Sequence, residues 1–320
     1  MPKMKLKAID LFAGIGGIRQ GFEDLGFKIV YSNDIDPHCA ETYKANFDEI
    51  DTRTIEKVPM KEIPDFDVLL GGFPCQSFSI AGQRKGFADT TRGTLFFHIE
   101  KILAEKKPKA FLLENVGHLL HHDKGSTFKV IRSVLEDKLG YDVHAKILNA
   151  KDFGVPQNRP RIYIVGFKNK TDFKFPKPTG RVALKTILER KADTKYYISQ
   201  KYYEGLERHR KRHESKGNGF GYCVLKPDGI ANTLVLGGMG RERNLIADKP
   251  ILVWGSGKDK LKYKNKLGLR KLTIRECARL QGIKEDFVFP VSNTQAYRQI
   301  ANSVAVPVVR AIAKEMKKYL

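Results

Sequence analysis

The feature that most constrains the fold is a regular alternation of short apolar runs and helical stretches over the N-terminal half of the chain. Strands that alternate with helices in this way form a mostly parallel sheet with helices on both faces. The sequence therefore predicts a doubly wound α/β domain. The predicted strands lie at 6–12, 28–34, 67–70, 110–115, 143–148 and 162–167.

Three reactive side chains follow these predicted strands. Asp34, Cys75 and Glu114 each lie at or just beyond the carboxyl end of a strand. Doubly wound sheets bind their ligands outside that edge. We therefore expect groups from distant parts of the sequence to converge on one crevice.

A glycine-rich loop, residues 14–17, joins the first predicted strand to the helix that follows it. A dinucleotide fingerprint requires glycine at position 19, where this chain has Arg19. The loop therefore suits an adenosine cofactor without a pyrophosphate, with Asp34 on the ribose hydroxyls. Taken alone, the loop is equally compatible with a simple turn.

Cys75 and Glu114 are suited to chemistry on an electron-poor ring. A thiolate is strongly nucleophilic and a competent leaving group, as reversible addition requires. A carboxyl group with a raised pKa can protonate a ring nitrogen and withdraw electrons from the carbon under attack. The alternatives are a buried structural thiol for Cys75 and a salt-bridged strand-end carboxylate for Glu114.

The charge of the chain points to a polyanionic partner. The formal net charge is +22, and residues 181–270 contain 21 Lys and Arg against 9 Asp and Glu. We interpret this glycine-containing stretch as a separate basic module that meets nucleic acid. No apolar run approaches the ~20 residues that a membrane-spanning helix needs. The four cysteines form no zinc knuckle, so we expect reduced thiols and no metal.

Taken together, these features resemble the DNA (cytosine-5)-methyltransferase family, in particular its compact bacterial modification enzymes. The resemblance covers almost the whole chain and rests on six segments in the family's order. They are DLFAGIGG at 10–17, GFPCQSFS at 72–79, ENV at 114–116, QNRPR at 157–161, RECARLQG at 275–282 and QIANSV at 299–304.

The resemblance implies a Rossmann-like fold that binds S-adenosyl-L-methionine and releases S-adenosyl-L-homocysteine. Thr52 replaces the apolar residue expected after Asp51, which weakens the assignment of Asp51 to the adenine. The cofactor-binding residues carried over from the family are Phe12, Gly14, Gly16, Gly17, Asp34, Ile35, Asp51, Pro74, Leu95, Asn302, Ser303 and Val304.

The resemblance also implies a reaction on a cytosine flipped out of the duplex. Cys75 would add to C6 while Glu114 engages N3 and the exocyclic amine, so that C5 accepts the methyl group. Loss of the C5 proton and elimination of Cys75 would then release 5-methylcytosine. Arg159 and Arg161 are predicted to position the base and the nearby acids. The alternative for these two residues is an ordinary arginine pair at a surface or strand edge.

The basic module corresponds to the family's target-recognition domain. We expect a catalytic domain at 1–178, the recognition domain at 179–270 and a segment at 271–320 that returns to the catalytic domain. In the recognition domain, Thr233 and Leu234 resemble the family's Thr-Leu pair, and the arginines that follow could read guanine or touch phosphate only. The predicted DNA-binding residues are Gln76, Ser79, Arg92, Thr233, Gly237, Gly238, Arg241 and Arg243.

These features predict a monomeric modification enzyme of a restriction-modification system in the bacterial cytoplasm and nucleoid. It would act on a short sequence in double-stranded DNA, with a cognate restriction endonuclease that shares the site without a stable complex. A tRNA cytosine-5 methyltransferase of the same fold is the main alternative, although its Cys-Phe-Thr signature is absent here. A nicotinamide-dependent oxidoreductase would have no use for Cys75. A catalytically silent DNA-binding relative would not need Glu114.

Overall fold

A computed structural model describes residues 5–73, 95–217, 221–235, 242–254 and 261–320. Its main sheet contains six strands in the N-terminal half of the chain. They are β1 (Lys7–Leu11), β2 (Lys28–Asn33), β3 (Val68–Gly72), β4 (Ala110–Val116), β5 (Asp142–Asn149) and β6 (Pro160–Phe167).

The sheet has the order β2-β1-β3-β4-β6-β5. The pairs β1–β2, β1–β3 and β3–β4 are parallel, whereas β6 runs antiparallel to both of its neighbours. The predicted mostly parallel, doubly wound sheet is therefore confirmed. The reversal of β6 has one important consequence, because it brings the start of β6 to the edge where the parallel strands end.

Helices cover both faces of this sheet, and the strand side chains alternate between the two apolar cores. One core contains Ala8, together with α1 (Gly17–Glu23) and α8 (Val306–Met316). The other contains Ile9, together with α3 (Leu95–Lys106) and α4 (Ser126–Ser133). A further helix, α2 (Pro37–Asn46), begins where the Asp36 carboxylate accepts hydrogen bonds from two backbone N–H groups.

The basic stretch folds into small elements of its own. Helix α5 (Gln200–Glu214) packs beside a three-stranded sheet of β11, β8 and β7, and β9 pairs with β10. The strands are β7 (Val224–Leu225), β8 (Leu245–Ala247), β9 (Leu252–Trp254), β10 (Leu261–Tyr263) and β11 (Leu269–Lys271).

Two further helices connect this stretch to α8. Helix α6 (Ile274–Leu280) begins with a capping box, in which Thr273 and Glu276 satisfy each other's backbone N–H groups. Helix α7 (Asn293–Asn302) was not predicted, and an extended Ser303–Ala305 segment separates it from α8, which begins at Val306. In the described part of the chain, no helix is both long enough and apolar enough to cross a membrane.

Candidate active site

The candidate active site lies where β3 and β4 end side by side. Gly72 pairs with Glu114 in the parallel register of these strands. The side-chain amide of Asn115 donates a hydrogen bond of 2.8 Å to the carbonyl oxygen of Phe73. This bond holds the last described residue before 74–94 against the strand end that carries Glu114. Cys75, Pro74, Gln76, Ser79 and Arg92 lie outside the described residues.

Glu114 is buried but incompletely neutralised. Its Oε1 lies 3.2 Å from Nε of Arg161. Arg161 is on β6, two residues before Tyr163, which is the residue that pairs with Glu114. Burial raises the pKa of Glu114 above its ordinary value, and the positive charges of Arg161 and Arg159 offset only part of that effect. A carboxyl group in this environment can hold a proton and donate it at the sheet edge.

Arg159 has a different environment from Arg161, although the two were predicted to act together. Its guanidinium donates to the carbonyl oxygens of Ala301 and Ser303, at 2.8 and 2.6 Å, and to that of Leu234 at 3.2 Å. Burial, followed by the charge of Arg161, lowers the pKa of Arg159 to about 9. Arg159 thus connects three chain segments, while Arg161 is the arginine that pairs with the catalytic carboxyl candidate.

The glycine loop and Asp34 form one compact structure. The Asp34 carboxylate accepts hydrogen bonds from Gly14 N at 2.8 Å and from Asp36 N at 2.9 Å. Burial raises the pKa of Asp34, and these two bonds counteract it. A side chain at Gly14 would meet no described atom within 4 Å, so this part of the loop faces open space. Asp34 therefore holds the glycine loop through the backbone N–H of Gly14. The sequence predicted only a contact between Asp34 and the ribose hydroxyls.

The other two glycines of the loop allow close packing. Gly16 has a φ of 76°, and a Cβ there would lie 2.5 Å from the ring of Phe47. A Cβ at Gly17 would overlap Ser303 Oγ and lie 3.0 Å from the side chain of Val304. The loop is thereby brought against the turn between α7 and α8, which contains three predicted cofactor residues.

Two apolar residues that flank these elements in sequence, Phe12 and Ile35, keep exposed surface. Phe12 has a φ of 55°, an uncommon backbone conformation for a residue with a side chain, and it is partly exposed. Ile35 is 62% exposed at the end of β2. An uncovered aliphatic side chain next to Asp34 offers a surface on which an adenine ring can pack.

The remaining predicted cofactor residues that the structure describes are Asp51, Leu95 and Asn302. The Asp51 carboxylate is held by Arg53 and by the hydroxyl of Tyr31, and the hydrogen bond from Arg53 is the main cause of its lowered pKa. Leu95 is the first described residue of α3, and Asn302 is exposed at the end of α7. The structure thus brings Gly14 to Asp34, and Gly17 to Ser303 and Val304.

The predicted DNA-binding residues fall partly outside the described residues, namely Gly237, Gly238 and Arg241. Arg243 is exposed, as base or phosphate contact requires. The Thr233 hydroxyl donates a hydrogen bond to the carbonyl oxygen of Asn158, so this residue contacts the segment that precedes β6. Among the described residues, no group of three or more His, Cys, Asp or Glu side chains could hold a metal ion.

No role was predicted for Gln157 or Asn115, although both stand in the motifs. Gln157 is fully buried, and its amide contacts Leu234, Leu280 and Gln281. An amide residue within two positions of a predicted catalytic residue was the available signal, because a buried amide needs partners.

The chain was compared with known proteins. A family model described as C-5 cytosine-specific DNA methylase matches residues 6–318. Type II methyltransferase M.HpaII of Haemophilus parainfluenzae is 49% identical over 99% of this chain and 90% of its own length. Type II methyltransferase M.NlaX of Neisseria lactamica is 48% identical over 98% of this chain and 97% of its own.

Solved structures are similar in fold. The Entamoeba histolytica methyltransferase EhMeth has a TM-score of 0.76 at 18% identity, covering 99% of this chain and 98% of that one. The S. pombe Dnmt2 methyltransferase has a TM-score of 0.75 at 22% identity, covering 98% and 99%. With the family match over nearly all of its length, the chain belongs to the C-5 cytosine-specific DNA methylase family and is a DNA cytosine-5 methyltransferase.

Proposed function

We propose that this methyltransferase uses Cys75 as its nucleophile and Glu114 as the group that activates the cytosine ring. The contact between Asn115 and the Phe73 carbonyl carries this proposal, because Phe73 lies only two residues before Cys75. Gly72, which pairs with Glu114, brings the same segment to the carboxyl. The thiolate forms a bond to C6 of a flipped-out cytosine, and the electrons of the C5–C6 double bond become available at C5.

Glu114 assists this addition by hydrogen bonding to N3 and the exocyclic amine. Its raised pKa keeps the protonated form available, so that charge developing on the ring can be neutralised at N3. Arg161 orients the carboxyl from one side through its contact with Oε1. C5 then takes the methyl group that bound S-adenosyl-L-methionine would supply, with S-adenosyl-L-homocysteine as the leaving group, and loses its proton to water. The C5–C6 double bond re-forms as the S–C6 bond breaks, which restores the thiolate, and N3 returns its proton to Glu114.

The residues around the glycine loop fit S-adenosyl-L-methionine as the cofactor. Open space at Gly14, the exposed Ile35, the partly exposed Phe12 and the Asp34 carboxylate supply room, an apolar surface and a polar group. When bound, this cofactor supplies an electrophilic methyl group on a sulfonium centre. Asn302, Ser303 and Val304 would close the site from the α7–α8 turn.

The type II names of the relatives support a restriction-modification role for this chain. We infer that it modifies a short sequence in double-stranded DNA in the bacterial cytoplasm. It would act as a monomer, and a cognate endonuclease would share the sequence without a stable complex. The division into domains at 1–178, 179–270 and 271–320 belongs to this proposal, with the basic domain contributing recognition and salt-sensitive affinity.

Covalent trapping tests the chemistry. The enzyme is expressed in a host that lacks cytosine methylation, and its recognition sequence is mapped from the 5-methylcytosine that appears. Duplexes with 5-fluorocytosine at the mapped position should then form a stable adduct with the enzyme in the presence of cofactor. A Cys75→Ala variant should bind the duplex without forming the adduct. DNA binding and cofactor binding without an adduct in the unaltered enzyme would contradict the proposed mechanism.

A further inference from the structure

The side chain of Gln157 links the recognition stretch to the catalytic domain. Gln157 is fully buried, and its Oε1 accepts a hydrogen bond of 3.0 Å from the backbone N–H of Leu234. Its Nε2 donates to the carbonyl oxygen of Leu280 at 2.9 Å and to Oε1 of Gln281 at 3.3 Å. Both ends of one buried amide are therefore used, and each end holds a different chain segment.

The dipeptide Thr233-Leu234 is held at several points by residues 157–159. Besides the bond from Leu234 N to Gln157, the Leu234 carbonyl accepts from Arg159 and the Thr233 hydroxyl donates to Asn158 O. One backbone pairing adds to this, because Asn158 N donates to Ala231 O at 2.8 Å. The start of the recognition segment is thus fixed in position and in rotation.

The far end of the same segment is tied to its beginning. Asn232 donates from its side chain to Arg243 O and from its backbone to Asn244 Oδ1, each at 2.8 Å. The two described ends of the recognition segment are therefore bonded to each other. Any displacement of Thr233-Leu234 would move both ends of the segment predicted to read the bases.

The same network reaches the predicted cofactor turn. Gln281, the partner of Gln157, donates from Nε2 to Ile300 O at 2.8 Å, and Arg159 donates to Ser303 O. These bonds fix the position of Thr233-Leu234 relative to the chain segment that contains the predicted cofactor residues. A buried amide with two opposed partners is well suited to this task, since it tolerates little displacement before one bond is lost.

We propose that Gln157 is a positioning residue for target recognition, setting where Thr233-Leu234, at the start of the segment predicted to read the DNA, stands relative to the sheet edge that carries Glu114, and hence how well the enzyme rejects sites with one altered base pair. The inference rests on the proposed function, in which that segment reads the DNA. Gln157 is fully buried, so it acts through Thr233-Leu234 and not by contact with the bases.

The test compares Gln157→Met with a matched control, Gln299→Met. Gln299 is also a buried glutamine with both amide ends bonded, to Thr42 Oγ1 and His38 O, but it makes no contact with the recognition segment among the described residues. The readout is the ratio of kcat/KM on the mapped site to kcat/KM on a site with one non-target base pair replaced. A loss of folded enzyme cancels in this ratio, so a purely structural role would leave it unchanged.

We expect the ratio to fall about tenfold in Gln157→Met and to stay at its original value in Gln299→Met. Thr233→Val removes a second bond to the same dipeptide and should lower the ratio about threefold. Because both bonds hold one dipeptide, the double variant should lose less than the product of the two single effects. Effects that multiply fully would instead indicate that Thr233 acts on the DNA independently of Gln157.

An unchanged ratio in Gln157→Met would overturn the inference. If that variant does not fold, an unchanged ratio in Thr233→Val has the same meaning. The proposed chemistry is judged separately, by adduct formation with 5-fluorocytosine in the unaltered enzyme. An adduct together with unchanged discrimination in the variants would contradict this inference alone, whereas no adduct at all would contradict the proposed function.

Discussion

Two buried arginine–glutamate pairs in this protein differ in how many short polar contacts the carboxylate makes. Glu276, at the start of α6, accepts a two-pronged interaction from Arg270 at 2.8 and 2.9 Å. It also accepts hydrogen bonds from the backbone N–H groups of Thr273 and Glu189, at 2.8 and 2.9 Å. Among the described residues, the Glu114 carboxylate has one ion pair, at 3.2 Å to Nε of Arg161.

The difference separates a structural pair from a chemically available one. Four short bonds replace the water that the Glu276 carboxylate has lost, so its position is fixed. Glu114 has lost water without equivalent compensation, and its raised pKa follows from that imbalance. A partly satisfied buried carboxyl can exchange a proton and accept a new partner, which a general acid requires.

The largest expected effect is on catalysis at Glu114. Glu114→Gln should lower kcat/KM for methyl transfer by about a thousandfold, since the amide cannot deliver a proton to the ring. Stability should change by less than about 1 kcal/mol, because the raised pKa already favours an uncharged side chain at this position. Rates and urea unfolding measured on the same preparation check both statements. A destabilised variant with normal rates would make Glu114 a structural residue.

The matching change at the other pair should have the opposite profile. Glu276→Gln leaves the buried Arg270 with Asp248, at 3.1 Å, as its one remaining carboxylate partner among the described residues, and should cost about 3 kcal/mol of unfolding free energy. Per active molecule, counted by 5-fluorocytosine trapping, the methylation rate should remain within a few-fold of the original. Equal stability of Glu276→Gln and the unaltered protein would contradict the structural assignment.

Asp10 extends the comparison to a buried carboxyl with no hydrogen-bond partner among the described residues. Burial raises its pKa to about 7, with Arg19 as the main opposing charge. Because the folded state holds this proton more tightly than the unfolded state, stability should fall as the pH rises from about 4 to about 7 and then level off. Asp10→Asn should remove about 2 to 3 kcal/mol of that decrease between pH 5 and pH 8. If unfolding of Asp10→Asn and of the unaltered protein had the same pH dependence, Asp10 would not be the group that causes the decrease in stability.

The smallest effects concern the arginines. Lysine keeps the charge but lacks the planar fork that binds both carboxylate oxygens. Arg270→Lys should therefore cost about 2 kcal/mol of stability, whereas Arg161→Lys should cost less than about 1 kcal/mol. Thermal unfolding of the two variants side by side measures the difference. A larger loss of stability in Arg161→Lys than in Arg270→Lys would mean that the number of hydrogen bonds does not determine how much each pair stabilises the fold.

Much of the fold could be predicted because its signals are local. Residues within one turn of each other produce the N-cap at Asp36 and the capping box of Thr273 and Glu276. The order of strands and helices follows from apolar periodicity, which is equally local. Helix α7 escaped prediction, since only four of its ten residues are buried and its apolar pattern is sparse.

The residue types of the candidate site could be predicted from the sequence, but not which of these residues contact each other. Arg159 and Arg161 stand two positions apart and were given one role, yet only Arg161 contacts Glu114 while Arg159 binds three backbone carbonyls. The partners of Gln157 lie 77 and 123 residues further along the chain. Contacts at such separations leave no periodic signal in a single sequence.

The sequence by itself determined the class of fold, the family and the residue types that the reaction needs, because spacing, charge and local propensity depend on neighbours along the chain. Tertiary structure decided which of those residues work together. The reversed direction of β6 is the clearest case: in a parallel sheet the start of β6 would stand at the opposite edge from Glu114, and only the antiparallel pairing brings Arg161 beside that carboxyl.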